Sequence, residues 1–77
     1  DNEYILSARL EIEKVNETFQ ISLPESDEYM TVGGLILNKY QNFPKVNEII
    51  TIDGNFTFKI IKMNTTKIEL VKLTVKA

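Results

Sequence analysis

The 77-residue chain contains no cysteine and no histidine. Disulfide staples, thiolate chemistry, the usual zinc sites and histidine acid–base catalysis are thereby excluded together. The absence of cysteine is compatible with a reducing compartment. No run reaches the roughly 18 apolar residues of a membrane-spanning helix, so the chain is not expected to insert directly into a bilayer. No signal peptide is visible. Nine basic against eleven acidic residues leave a net charge of −2. That balance provides no basic stripe, and nucleic acid is not an expected partner. Glycine and proline are sparse as well, with three and two copies.

What remains is the composition of a small folded domain. An apolar share of 43% argues against disorder. Residues 1–77 form one domain, near the lower size limit at which a single core suffices, since such a chain buries only about 60–65% of its unfolded surface. The first residue is Asp1 rather than methionine, and the chain is read as a piece of a larger protein.

Thr31–Val46 organises the rest. Val32, Leu35, Ile36 and Tyr40 fall at helical spacing. Gly33 and Gly34 lie inside the first turns, where each costs about 1 kcal/mol relative to alanine. The compensation expected is close approach, a close-packing seam in which the helix backbone lies tight against the sheet. A phosphate-cradling role is the weaker reading, because no Gly-x-Gly-x-x-Gly or Gly-Lys-Ser/Thr pattern follows a strand. Thr31 is the expected N-cap. Pro44 biases Phe43 towards extended backbone and ends the helix near Gln41-Asn42.

Upstream, Glu3–Ala8 reads as a first strand. A first helix follows, with Ile12, Val15 and Phe19 facing the core and Leu23-Pro24 closing the unit. Downstream the period changes to two. Ile50 and Ile52 share a face, Asp53-Gly54-Asn55 signals a hairpin with positive φ expected at Gly54 and Asn55, and Phe56, Phe58 and Ile60 alternate on the return. Asn64-Thr65-Thr66 makes a second turn. In the last strand Ile68 and Leu70 share one phase and Val71, Leu73 and Val75 the other. The slip at Leu70-Val71 predicts a β-bulge or a strand buried on both faces. The order β-α-α-β-β-β gives an α+β fold, two helices packed on a small, mainly antiparallel sheet.

No catalytic set emerges, and the chain is read as not an enzyme. Asp53 sits at a hairpin tip, where its side chain is expected to bond its own backbone and stay solvated. The acidic run Glu25-Ser26-Asp27-Glu28 lacks the ligand alternation and central glycine of a calcium loop. It is read as a solvated loop entering the second helix, where negative charge is favourable, and no metal site is assigned. Lys59, Lys62, Lys67, Lys72 and Lys76 mostly fit solvent-facing strand positions. Three Asn-x-Ser/Thr sequons, at Asn16, Asn55 and Asn64, are read as chance, two of them falling at turns. Tyr40 and Phe43 are expected to close the core at the end of the second helix. Together with Tyr29 they also form the candidate docking surface.

The residues resemble those of the transporter-associated domain at the C-terminus of CorC/HlyC-type proteins, in register from Tyr4 to Thr74. The pieces that carry the resemblance are Glu3-Tyr4-Ile5-Leu6, Val15-Asn16, Leu23-Pro24, the acidic loop with Tyr29, Thr31-Val32-Gly33-Gly34-Leu35-Ile36-Leu37, and Phe43-Pro44-Lys45-Val46. Where such domains often carry glycine, this chain has Ala8, Gln20, Gln41 and Asn47. Asn47 tolerates a left-handed turn. Gln41 does not do so cheaply, so the helix exit is expected to run on to Asn42 or to use another turn.

The resemblance implies a fold related to a subdomain of certain flavin-binding proteins, in the manner of an FAD-binding-like module. It implies a parent that combines a membrane domain with paired CBS modules and is associated with magnesium and cobalt efflux or named as a haemolysin. The expected role is a non-catalytic regulatory domain on the cytoplasmic face of the membrane. Its expected partners are its own CBS modules, the membrane domain or another protomer of a homo-oligomer. No cofactor is expected in this domain. Two alternatives stand beside this reading: a small nucleotide- or flavin-binding module, and a structural dimerisation module that pairs through the long C-terminal strand as a sheet edge.

Overall fold

The computed structural model describes residues 2–76. The elements are β1 (Asn2–Ser7), α1 (Ile12–Phe19), α2 (Val32–Tyr40), β2 (Ile49–Ile52), β3 (Phe56–Met63) and β4 (Ile68–Val75). The expected order β-α-α-β-β-β is the observed one. All three strand pairings among the described residues are antiparallel, in the spatial order β1-β4-β3-β2.

That order corrects the expectation for the C-terminal strand. β4 lies between β1 and β3, so its backbone groups on both sides are engaged by neighbours. It is not an edge and has no free ladder to offer a second copy. The edges are β1 and the four-residue β2.

Period-two alternation decides which face is buried. Phe56, Phe58 and Ile60 of β3, Val71 and Leu73 of β4, Ile50 and Ile52 of β2 and Leu6 of β1 are buried. Against them pack Ile12 and Val15 of α1 and Val32, Leu35 and Ile36 of α2. The outward face follows from the register, which aligns Ile5, Lys72, Lys59 and Ile49 across the four strands. Lys59 and Lys72 are thus direct cross-strand neighbours of like charge, an unfavourable pair. Glu3, 3.8 Å from the Lys72 ammonium, offsets part of that repulsion.

The phase slip in β4 is real, and its cause lies one residue earlier than expected. Ile60 pairs with Val71, Lys62 with Leu70 and Met63 with Ile68. Ile61 is therefore an extra residue on β3 and Glu69 an extra residue on β4. The two irregularities cancel, so pairing resumes after both. They also re-aim β4, allowing Ile68, Val71 and Leu73 all to be buried although strict alternation would place Ile68 on the other face. At the β2–β3 turn the positive φ angles fall on Asp53 and Gly54, at 56° and 72°, one residue earlier than the expected Gly54 and Asn55.

Both helices end in left-handed glutamines, Gln20 and Gln41, each with φ 56°. The exit of α2 therefore turns at Gln41 itself and does not run on to Asn42. The Gln41 N–H donates to the Leu37 carbonyl at 2.9 Å, closing the last turn. Asn47 is left-handed too, with φ 72°.

Candidate functional site

The start of α2 is held by a cap, a bridge and backbone hydrogen bonds to two other segments. Thr31 caps it, its Oγ1 accepting from the Gly34 N–H at 3.1 Å. Ahead of the helix, Thr31 and Glu11 form an isolated antiparallel bridge. There the Ile12 N–H donates to the Met30 carbonyl at 2.8 Å and the Val32 N–H to the Leu10 carbonyl at 2.9 Å. The Gly33 N–H donates to the Ala8 carbonyl at 2.8 Å. The first three amides of α2, which normally lack partners, are all occupied by the protein itself.

This geometry shows what each glycine touches. A Cβ on Gly33 would stand 3.2 Å from the Ala8 carbonyl oxygen and 3.3 Å from the Ala8 Cβ. A Cβ on Gly34 would stand 3.1 Å from the Tyr29 Cβ and 3.2 Å from Thr31 Oγ1. The close approaches are thus to the turn after β1 and to the loop before α2, not to the broad face of the sheet.

The three aromatic residues of the candidate docking surface have separate environments. Tyr29 is only 9% exposed, within the core cluster, and its hydroxyl donates to the Pro24 carbonyl at 2.7 Å. Burial raises the pKa of that hydroxyl above the ordinary 10.0, and the charges of Asp53, Glu28 and Glu25 push the same way. A ring so enclosed is no free surface for a partner, which removes Tyr29 from the docking surface. Tyr40 is half-buried against the core. Phe43 is 46% exposed and does not close the core as expected, the chain having turned out of the helix at the left-handed Gln41. Val46, three residues on, is half-exposed as well.

Asn16 has an organising role that its sequence context does not reveal. The Asn16 side chain accepts from the Leu23 N–H at 2.8 Å and donates to the Leu23 carbonyl at 3.0 Å. Its amide nitrogen also reaches Glu25 Oε2 at 3.2 Å. One amide thereby replaces a strand partner for an otherwise unpaired stretch of loop. Helical periodicity carries no sign of this, because Asn16 sits beside the buried stripe rather than in it.

One concavity lies between the start of α1 and the loop before α2, and another lies beside α2. The smaller, about 110 Å³, is lined by Glu11, Glu13, Glu25, Tyr29 and Met30 among others. Among the described residues no group of three or more metal-ligating side chains is placed to hold a metal ion. The larger, about 330 Å³, opens between the β1–α1 turn, the first half of α2 and the β3–β4 turn.

The whole of this architecture has counterparts. The model of the CorC_HlyC family, the transporter associated domain, matches residues 1–77. The chain belongs to this family. It is 34% identical over 74 residues to a protein of Rickettsia bellii (strain OSU 85-389) described as "Possible hemolysin C". Over 72 residues it is 32% identical to the magnesium and cobalt efflux protein CorC of Buchnera aphidicola. Each alignment takes in 94% of this chain, which spans 24% of the length of each relative. The transporter associated domain CorC_HlyC from Nitrosomonas europaea superposes with a TM-score of 0.83 at 25% identity, covering 99% of this chain and 89% of that one. Gln20, Gln41 and Asn47, three of the positions where the resemblance leads glycine to be expected, are left-handed in this chain.

Proposed function

We propose that this domain is a non-catalytic regulatory module of a larger, CBS-pair-containing membrane protein, and that it modulates divalent-cation efflux, with magnesium and cobalt the cations of interest. The observation that carries this reading is the match of the entire chain to a transporter-associated domain, within relatives four times its length that are named for efflux or haemolysis. Among the described residues no helix is long and apolar enough to cross a membrane, so a transport path must be supplied by other parts of the parent.

The chemistry of the chain supports a docking role over a catalytic one. Without histidine or cysteine the available acid–base groups are carboxylates, lysines and tyrosines, and the buried tyrosine is committed to a backbone carbonyl. The docking surface proposed is the end of α2 and the loop after it, centred on Tyr40 and Phe43. Its partner is a CBS module of the same chain or of another protomer, on the cytoplasmic face of the membrane. Docking there biases the assembly between two arrangements of unequal transport rate.

The test adds the isolated 77-residue chain to purified parent protein truncated before this domain. Association that Phe43→Ala weakens supports the reading. No association of either form, with both folded, contradicts it.

A further inference from the structure

We propose that the 330 Å³ groove beside the start of α2 binds a small amphipathic carboxylate. The apolar body would sit on Ala8, Gly33, Gly34 and Leu37, and the charge would be held between Arg9 and Lys67. Neither Tyr40 nor Phe43 lines this groove, and the inference does not depend on the regulatory role.

The lining has the composition of a ligand cleft: a largely apolar floor with a few charged or hydroxyl groups at its margin. Gly33, Gly34 and Ala8 make the floor backbone and small side chains, so a flat body can lie against it. Ile68, buried at the start of β4, closes the far wall. The volume stands at the lower end of the range for small-molecule sites, which limits the body to about two fused rings.

The charge must be met by side chains. The amides of Val32, Gly33 and Gly34 are engaged by Leu10, Ala8 and Thr31, so the helix terminus has no N–H left for an anion. Arg9 and Lys67 are available instead. The one ion pair among the described residues joins Lys72 to Glu3. Arginine presents a planar fork that suits a carboxylate, and lysine adds a point charge.

The two backbones that carry these cations are fixed in relation to each other. The Arg9 N–H donates to Ser7 Oγ at 3.2 Å. On the facing turn, Asn64 Oδ1 accepts from the Thr66 and Lys67 N–H groups at 2.9 and 2.7 Å. The Ala8 N–H donates to the Glu69 carbonyl at 2.9 Å and ties one turn to the other. A carboxylate entering the groove therefore meets two backbones already held in place, which lowers the ordering cost of binding.

The experiment is a titration of the ¹⁵N-labelled chain with three probes, followed by amide shifts. 2-Naphthoate carries body and charge, 2-naphthalenemethanol the body alone, and acetate the charge alone. The expected result is saturable movement of the Arg9, Gly33, Gly34 and Lys67 amides with 2-naphthoate, at a Kd of about 1 mM, with the alcohol about tenfold weaker. Acetate should give no saturation. The Arg9→Ala, Lys67→Ala double variant should bind 2-naphthoate no better than the alcohol, with its sheet amides unmoved; either single variant serves if the pair does not fold. Equal affinity for naphthoate and alcohol, wild-type affinity in the variant, or saturation absent from these four amides would overturn the proposal.

Discussion

Gly33 and Ala8 are held face to face, the amide of one donating to the carbonyl of the other at 2.8 Å, with 3.2 Å left between that oxygen and any Cβ placed on Gly33. The contact joins the end of β1 to the start of α2 and fixes where the second helix begins.

Two effects of Gly33→Ala oppose each other. Helix propensity favours alanine by about 1 kcal/mol, while the added methyl must displace backbone, and overpacking costs about 1–3 kcal/mol. Because the nearest atom is a carbonyl oxygen in a hydrogen bond, the steric term should win, with a net loss of about 1 kcal/mol by urea denaturation. Gly34→Leu, directed at the Tyr29 Cβ and the capping Thr31 Oγ1, should lose a few kcal/mol. Near-native stability of Gly34→Leu would mean that this contact gives way freely.

Asn16→Ala should be costly for a residue outside the core. It removes the exposed bond to Glu25 and both bonds to Leu23, leaving the part-buried N–H and carbonyl of Leu23 without partners, a loss of about 2–3 kcal/mol. Hydrogen exchange at the Leu23 amide should accelerate by more than at Val15. Exchange unchanged at Leu23 would show that the loop is held by the Leu23 side chain alone.

Tyr29 links stability to alkaline pH. Its folded-state pKa is raised, chiefly by burial, so the unfolded chain ionises first. Its contribution is complete below about pH 10, the unfolded pKa, and is lost as pH rises through the higher folded value. Tyr29→Phe should cost about 1 kcal/mol at pH 7 through the lost bond to Pro24, and should decline less steeply than the wild type in urea melts above pH 10. Parallel declines would place the alkaline sensitivity at other groups.

Gln41 offers the opposite sign. A non-glycine residue in the left-handed region costs about 1–2 kcal/mol, partly offset by the greater chain entropy glycine loses on folding. Gln41→Gly should therefore stabilise the chain by several tenths to about 1 kcal/mol, measured as a higher urea midpoint at constant slope. Destabilisation would mean that the Gln41 side chain makes a contact worth more than its backbone strain.

Local signals were legible where one residue decides them. The hydroxyl of Thr31 marks the start of α2, Ile12 and Val15 mark the inner side of α1, and Phe56, Phe58 and Ile60 mark the inner face of β3. The slip between Ile68 and Val71 was visible as a change of phase. Its resolution was not, because it depends on Ile61 of the neighbouring strand as much as on Glu69. Strand order is likewise a property of pairs. Nothing in Lys67–Lys76 says that β1 returns to its outer side, so the strand read as an edge proved internal. At the candidate site, the glycine pair was evident but its partners, Ala8 and Tyr29, are set by tertiary approach. Tyr29 reads as an exposed loop aromatic until Pro24 is seen to accept from its hydroxyl.

The central claim, that the domain regulates a transporter of which it is not the conducting part, is tested most directly by cation flux. The measurement is the initial rate of magnesium and cobalt efflux through the full-length parent in vesicles, beside the same protein truncated before this domain. The account predicts that the truncated protein still transports but at a changed rate, and that Phe43→Ala in the intact protein shifts the rate in the same direction. Identical flux from the intact and truncated proteins, at equal amounts in the vesicles, would contradict it.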